Sequence, residues 1–502
     1  MISLVQTATL DGIDAVPVEA EVDIRAGVVR FALVGLADQA VKEAEERVKA
    51  AITNSGLTFP NGYVVCNLAP SDLRKEGNHI DLPIAIAILA ASGQVPTKEL
   101  DETLIMGELG LDGRLRPIDG SLNAALLCRK SGIRRLIVPE ENAAEASIAP
   151  DLEVYGASHL LQVVELLNGS LAIEPHPFID LSQSQVIQYE VDFRDVKGQR
   201  QGIRALEIAA AGGHNVLLTG PPGSGKTMLA RRLPTILPRL ALDEAIEVTR
   251  IYSAGGHKQG RVGLVWERPF RSPHHTASYA AIVGGGRVPR PGDVSLSHLG
   301  VLFMDELPEF DRSVLEALRQ PLEDNVVSIS RVQARMDFPA NFILIGAMNP
   351  CPCGFKGYPE AKCVGQAACD RYGGRISGPL LDRIDIHVDI PRLKPDELVE
   401  APLGPESSVL RERVEVARQI QRERFGESKT NSTMSPRQVR DSVHLDGESQ
   451  EFLRLVSARL GLSGRVYDRL LKVARTIADL AGSPTVTKTH LAEAVQYRQL
   501  GK

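Results

Sequence analysis

Apolar positions along this chain recur with two periods, and the places where the period changes divide it. Up to about residue 165, alternating runs at residues 16–22 and 63–67 are interleaved with helical patterns at 37–52 and 82–91, which predicts a compact α+β unit. Residues 166–190, with Glu174-Pro-His-Pro-Phe178, keep neither period and read as a linker. Over 191–393, short apolar runs alternate with helical stretches, the pattern of a parallel sheet with crossover helices. Residues 394–502 are mostly helical in pattern, most clearly at 410–425 and 466–480.

Composition narrows the classes. A chain of 502 residues exceeds what one core organises, so two to four domains are expected. With 43% hydrophobic and 24% charged residues there is no disorder signature. No apolar run is long enough to span a bilayer, and Met1-Ile-Ser-Leu-Val-Gln-Thr7 lacks the basic start and apolar core of a signal peptide. A cytoplasmic protein with no membrane partner is expected. The net charge of −6 is uneven: residues 1–165 carry 14 Lys/Arg against 24 Asp/Glu, the remainder 43 against 39. A polyanion would therefore meet the later part of the chain.

The sharpest chemical signal is Gly220, Pro221, Pro222, Gly223, Ser224, Gly225, Lys226 and Thr227, set between a strand-like 214–219 and a helix-like 228–233. Such a loop turns backbone N–H groups around a phosphate, Lys226 reaches the β and γ phosphates, and Thr227 offers its hydroxyl to Mg²⁺. The helix that starts there adds its N-terminal dipole. ATP with Mg²⁺ is the expected cofactor. Downstream, four apolar residues end in Asp305 and Glu306, as in a buried parallel strand whose carboxyl end faces the nucleotide; Asp305 would hold Mg²⁺ and Glu306 would orient the attacking water. A third strand-like run ends in Asn349, a sensor of the γ phosphate. Arg383, after a short helical turn, has the spacing of an arginine finger given in trans, a device that contributes on the order of 10³ to 10⁵ in rate. Arg465 opens the last helical region as a candidate lid arginine, with Arg469 and Arg475 as alternatives on the same helix.

In this order the features resemble those of AAA+ ATPases. Residues 192–199, 209–215, 376–386 and 471–480 more closely resemble the magnesium chelatase-like YifB/ComM family. The resemblance covers nearly the whole chain. It implies an AAA+ parallel sheet with a helical lid, Asp195 and Gln199 near the adenine, and a homo-oligomeric ring, usually a hexamer. It further implies an ATP-driven helicase that promotes branch migration of single-stranded or branched DNA in natural transformation.

Between Thr227 and Asp305 lies more chain than a plain sheet needs, and residues 257–298 carry six Lys/Arg against two Asp/Glu. Within this insert, Arg287 and Arg290 flank a glycine-rich tip, suited to gripping a phosphate backbone by charge without sequence readout. A solvated surface loop is the plainer alternative. A second pair of β-like runs at 326–338 places Arg331 and Arg335 as further DNA candidates. With 4% aromatic residues and one Trp, backbone tracking is favoured over base stacking.

Cys351, Cys353, Cys363 and Cys369 fall close together, a cluster better explained by structural Zn²⁺ than by disulfides, though the spacing departs from a double CxxC and reduced thiols remain the alternative. Cys66 and Cys128 read as small core residues. Adjacent His274 and His275 read as loop residues.

Residues 107–120, 130–133 and 137–142 resemble the proteolytic domain of Lon, a ribosomal S5 domain 2-like α+β fold. That family needs a serine nucleophile and a lysine. Alignment places Ile84 at the serine and Leu122 or Ala124 at the lysine, so an inactive binding or assembly platform for a protein partner is expected; Ser71 and Lys75 are a remote displaced dyad. The leading function is a DNA-remodelling ring ATPase. A protein-remodelling or chelatase-type motor is the alternative, and a Lon-like protease comes last.

Overall fold

The structure is a computed structural model that describes residues 2–35, 43–71, 75, 77–178, 189–256, 264–286, 289–330, 335–354, 366–393, 401–426 and 429–498. The chain opens with a long antiparallel hairpin, Ile2–Asp11 and Asp14–Arg25, turned at Gly12, whose φ of 67° suits glycine. Around it grows a seven-stranded mixed sheet in the order Arg30–Val34, Tyr63–Ala69, Asp14–Arg25, Ile2–Asp11, Thr103–Ile105, Arg135–Pro139, Glu153–Ala157. Tyr63–Ala69 alternates buried and half-buried positions, as a strand with one covered face must. The helix Asp81–Ala91 is buried along its whole length and carries Ile84 inside the core. Its first residue, Asp81, is held by Arg47 through two hydrogen bonds of 2.8 and 3.0 Å, a bidentate pair that compensates a buried carboxylate.

The second half is built on a five-stranded sheet ordered Phe270–Arg271, Val301–Met304, Ile343–Met348, Val216–Thr219, Ile386–Asp389, with every pair parallel. This is the α/β architecture of an AAA+ protein. Two antiparallel hairpins project from it, Gly284–Gly285 with Arg290–Pro291, and Val326–Ser330 with Arg335–Pro339. The helices Ser407–Phe425, Pro436–Ser442, Gly447–Leu460, Gly464–Leu480 and Lys488–Gln496 follow. One apolar cluster joins sheet residues Val216, Ile345 and Ile386 to Leu410, Leu470 and Leu491 of these helices. Buried polar groups reinforce the joint. His214 meets Asp385 at 3.3 Å and Thr476 at 2.8 Å, and Arg469 donates to Asp385 at 2.6 Å. Burial alone would raise the Asp385 carboxyl, but Arg469 and His214 hold it well below its ordinary value.

The N-terminal sheet and the second half also share a core. Ile13, Leu122 and Ile148 pack with Val248, Ile251, Tyr252 and Phe338. Leu122, at a position where the Lon resemblance expects lysine, is thus buried in an interface. Polar contacts border it: Arg250 pairs with Asp14 at 2.5 Å and Arg290 with Asp119 at 3.3 Å.

Burial, seconded by Arg498, pushes the His387 imidazole down to about 4 from 6.5. The unfolded chain then takes the proton first, so the stabilising effect is complete above the unfolded value and is lost as pH falls toward 4. Thermal midpoints are expected to drop between pH 7 and 4.5, with a loss on the order of 3 kcal/mol across the full window. A His387→Gln variant should lose much of that acid sensitivity.

Candidate nucleotide site

The strand Val216–Thr219 delivers residues 220–225 to the carboxyl edge of the sheet, where the helix Lys226–Ile236 begins. Gly223 and Gly225 take φ of 75° and 94°, conformations that turn the loop backbone inward. A Cβ on Gly220 would come 2.2 Å from the Ile390 carbonyl oxygen, so backbone packs directly on backbone there. Gly354 is as tightly placed, its Cβ position 2.5 Å from Pro222 Cδ, and the turn bearing Cys351 and Cys353 thereby braces the loop. Ser224 Oγ is buried without a hydrogen-bond partner among the described residues. A glycine-shaped cradle at a helix N-terminus with an orphaned hydroxyl fits a phosphate group.

Lys226 is 8% exposed and donates to the carbonyls of Gly220 at 2.7 Å and Pro221 at 3.0 Å, and to Asn349 Oδ1 at 3.2 Å. Burial pushes its ammonium below the ordinary value, against the pull of Asp305 and Glu306. Thr227 Oγ1 donates to Asp305 Oδ2 at 2.8 Å. Four residues from three strand ends thus form two linked polar pairs around one loop.

Glu306 follows the buried strand Val301–Met304 with φ 52° and ψ 45°, a left-handed conformation that costs a non-glycine residue on the order of 1–2 kcal/mol. Asp305 Oδ1 accepts its backbone N–H at 3.0 Å. Its carboxylate lies 3.5 Å from His275 Nδ1, whose ring sits edge-on to Phe310. In the sequence His275 reads only as a loop residue. The signal that reveals it is strand order: Phe270–Arg271 pairs beside Val301–Met304, which brings the following turn to the acid.

Gln199 is buried and donates to the carbonyls of Ser224 at 3.2 Å and Pro391 at 2.8 Å, tying the loop to the end of the neighbouring strand. Asp195 is exposed and accepts from Arg232 at 2.9 Å, a bond that holds its carboxyl below the ordinary value. Arg383 and Arg465 are not among the partners of Lys226, Thr227 or Asp305. Arg383 is turned inward, its side chain 6% exposed, donating to the Pro379 carbonyl at 2.7 Å and to Glu323. The Arg383 hydrogen bond lowers the Glu323 carboxyl, and the charges of Arg465 and Arg469 add to it. Arg469 and Arg475 are engaged internally, with Asp385 at 2.6 Å and Asp479 at 3.1 Å. Of the three lid candidates, Arg465 is the one exposed without a hydrogen-bond partner among the described residues.

Three family profiles cover consecutive stretches: subunit ChlI of Mg-chelatase over residues 20–142, magnesium chelatase subunit ChlI over 192–398, and the ChlI C-terminal region over 404–498. The chain is 44% identical over its whole length to the uncharacterized protein YifB of Escherichia coli (strain K12), covering 98% of that protein. It is 43% identical to competence protein ComM of Haemophilus influenzae, with 99% of this chain and 98% of that one covered. An alignment of 200 positions that covers 34% of this chain and 35% of the relative is 27% identical to Lon protease 2 of Bacillus subtilis. The chain belongs to the magnesium chelatase-like YifB/ComM family. Membership implies use of a nucleotide and Mg²⁺, and the cradle, Lys226 and the Thr227–Asp305 pair fit both.

The remaining expectations for this YifB/ComM member fare differently. Cys351 and Cys353 place their sulfurs 3.0 Å apart and Cys369 is buried, while Cys363 lies outside the described residues. No group of three or more metal-ligating side chains gathers among the described residues, so zinc finds no support there. Cys66 and Cys128 are core residues whose thiols burial pushes up to about 12. Of the DNA candidates, Arg287 and Arg331 lie outside the described residues, as does the side chain of Arg335; Arg290 is 57% exposed and pairs with Asp119. Among the described residues no helix is long and apolar enough to cross a membrane.

Because a methyl group at residue 220 would overlap the Ile390 carbonyl, Gly220→Ala is expected to abolish nucleotide binding, measured with a fluorescent ATP analogue, while far-ultraviolet circular dichroism stays unchanged.

Proposed function

We propose that this protein is a ring-forming AAA+ ATPase that couples ATP hydrolysis to translocation on, or remodelling of, single-stranded or branched DNA, in the manner of a branch-migration helicase. The observation that carries the hydrolytic reading is the convergence of Lys226, Thr227, Asp305 and Asn349 at the loop, with Glu306 beside His275. ATP supplies the phosphoryl group passed to water, and Mg²⁺ the charge that stabilises it. Thr227 would offer its hydroxyl to the metal and Asp305 would hold it through water, while Lys226 with the loop amides would offset phosphate charge. Glu306 orients the attacking water and receives its proton, while His275 fixes the direction of the Glu306 carboxylate. Arg383 and Arg465, gathered at Glu323, serve a neighbour's nucleotide in the assembled ring, which requires Arg383 to leave Glu323.

DNA as the substrate is supported by the relative named for competence and by the basic insert. Arg287, Arg290, Arg331 and Arg335 would meet backbone phosphates, and Arg290 would exchange Asp119 for phosphate as it does so. The chelatase profiles favour a second reading, a motor acting on protein. Zinc at Cys351, Cys353, Cys363 and Cys369 is part of the same proposal, tested by metal analysis of purified protein.

Forked or single-stranded DNA is expected to stimulate ATP hydrolysis, with stimulation falling steeply between about 50 and 200 mM salt. Lys226→Ala and Glu306→Gln should abolish turnover, and His275→Ala should lower kcat roughly a hundredfold with little change in KM. Hydrolysis indifferent to DNA and stimulated by an unfolded polypeptide would establish the protein motor instead.

Removing the Asp119 competitor should strengthen DNA binding. Asp119→Asn is expected to lower the Kd for forked DNA severalfold and Arg290→Ala to raise it, both read by fluorescence anisotropy at fixed salt.

A further inference from the structure

At the end of the nucleotide sheet opposite the phosphate loop, where Gly300 and Asn341 lead into Val301–Met304 and Ile343–Met348, the sheet and the following helices enclose a cavity of about 520 Å³. Its charges are unbalanced. Of its three carboxylates, Glu244 is engaged by Arg268 at 3.3 Å and by the Ala241 N–H at 3.0 Å, and Glu247 by His298 at 3.4 Å. Asp243 is left, together with the charge of Glu247, which a neutral His298 does not offset. Against these two stand four cations. Arg418 lays two N–H groups on the Ala210 carbonyl at 3.0 and 2.8 Å and forms no ion pair among the described residues, although the charge of Glu244 acts on it. The side chains of Arg239, Arg422 and Lys429 have no hydrogen-bond or ion-pair partner among the described residues.

Crowding leaves its mark on the inner pair. Burial lowers the Arg268 guanidinium, and burial with the charges of Arg268 and Arg422 pushes Arg418 down to about 9. A guanidinium such as that of Arg418, held away from water beside other cations, is costly until an anion arrives. Neutral donors complete the wall. His298 Nδ1 accepts the Asn341 N–H at 3.1 Å, so Nε2 carries the proton. The hydroxyls of Thr430 and Ser432 lie 3.0 Å apart on the helical side.

We infer that this cavity is an anion site separate from the phosphate loop, taking the phosphate groups of a small ligand of nucleotide size. Its volume falls within the range of roughly 300–1,000 Å³ usual for small-molecule sites. A small ligand is favoured over a nucleic-acid backbone because the cations converge from two walls: Arg239 and Arg268 stand on the sheet side, Arg418, Arg422 and Lys429 on the helical side. An exposed backbone track would instead line them along one surface. A phosphate group held there would join the sheet to the helix Ser407–Phe425 and to Thr430 and Ser432.

The test uses full-length protein carrying Lys226→Ala, which disables the phosphate loop, titrated calorimetrically with pyrophosphate. One binding event is expected to survive. Its affinity should fall at least tenfold when the exposed pair is reversed as Arg239→Glu with Arg422→Glu, and again in the separate surface variant Lys429→Glu. Pyrophosphate should raise the thermal midpoint of the Lys226→Ala protein and not that of the charge-reversed proteins. Absence of the residual event, or an event that the reversals leave unchanged, overturns the inference. Displacement of pyrophosphate by forked DNA overturns it as well, since the surface would then belong to nucleic acid.

Discussion

Parallel pairing of Val216–Thr219 with a strand on each side is the constraint from which the nucleotide site hangs. Thr219 is in register with Met348 on one side and Asp389 on the other, so Gly220, Asn349 and Ile390 emerge together at one edge. Val301–Met304 is paired one strand further out, which adds Asp305 and Glu306 to the same edge. A parallel sheet is apolar on both faces, and its polar residues collect where the strands end. The loop can then lie close: a Cβ at Gly220 would strike the Ile390 carbonyl, and one at Gly354 would strike Pro222. The strained backbone of Glu306 is sustained by this packing and by the Asp305 carboxylate that holds its N–H.

Asp385 carries the same constraint into the lid. It accepts from the Asn215 N–H at 3.2 Å, just before the loop strand, and from Arg469 on a lid helix at 2.6 Å, with His214 between sheet and Thr476. Sheet edge and lid are thus coupled through a buried network, whose partial loss would leave an uncompensated charge. Glu323 accepts from Arg383 at another point, and the charge of Arg465 acts on the same carboxylate.

The acidic N-terminal unit takes part in this arrangement. Its charge excess is partly matched within the chain, through Asp14 with Arg250 and Asp119 with Arg290, next to an apolar interface that includes Leu122 and Phe338. A basic insert that reads as free for a polyanion is therefore tied at one arginine to the protein itself.

The glycine-rich loop and the strands that end at Asp305 and Asn349 were legible because each is a contiguous run whose residue types dictate its local shape. Their order along the chain identified an AAA+ sheet before any contact was known, and the helical periods of the lid and the buried pattern of residues 82–91 were equally plain. His275 was not legible, since two histidines in a loop carry no period and acquire meaning only when strand pairing brings Glu306 within 3.5 Å. Nor was the division of labour among lid arginines: Arg465, Arg469 and Arg475 share one helix, and only packing decides which two meet buried aspartates. The cation-rich cavity draws on segments nearly two hundred residues apart, Arg239 and Arg422 among them. Sequence alone determined which short segments can turn around a phosphate or run as buried strands, because those choices rest on local backbone sterics and periodicity. Which charges face each other was settled by the tertiary structure, because an ion pair depends on distances that sheet order and domain packing set.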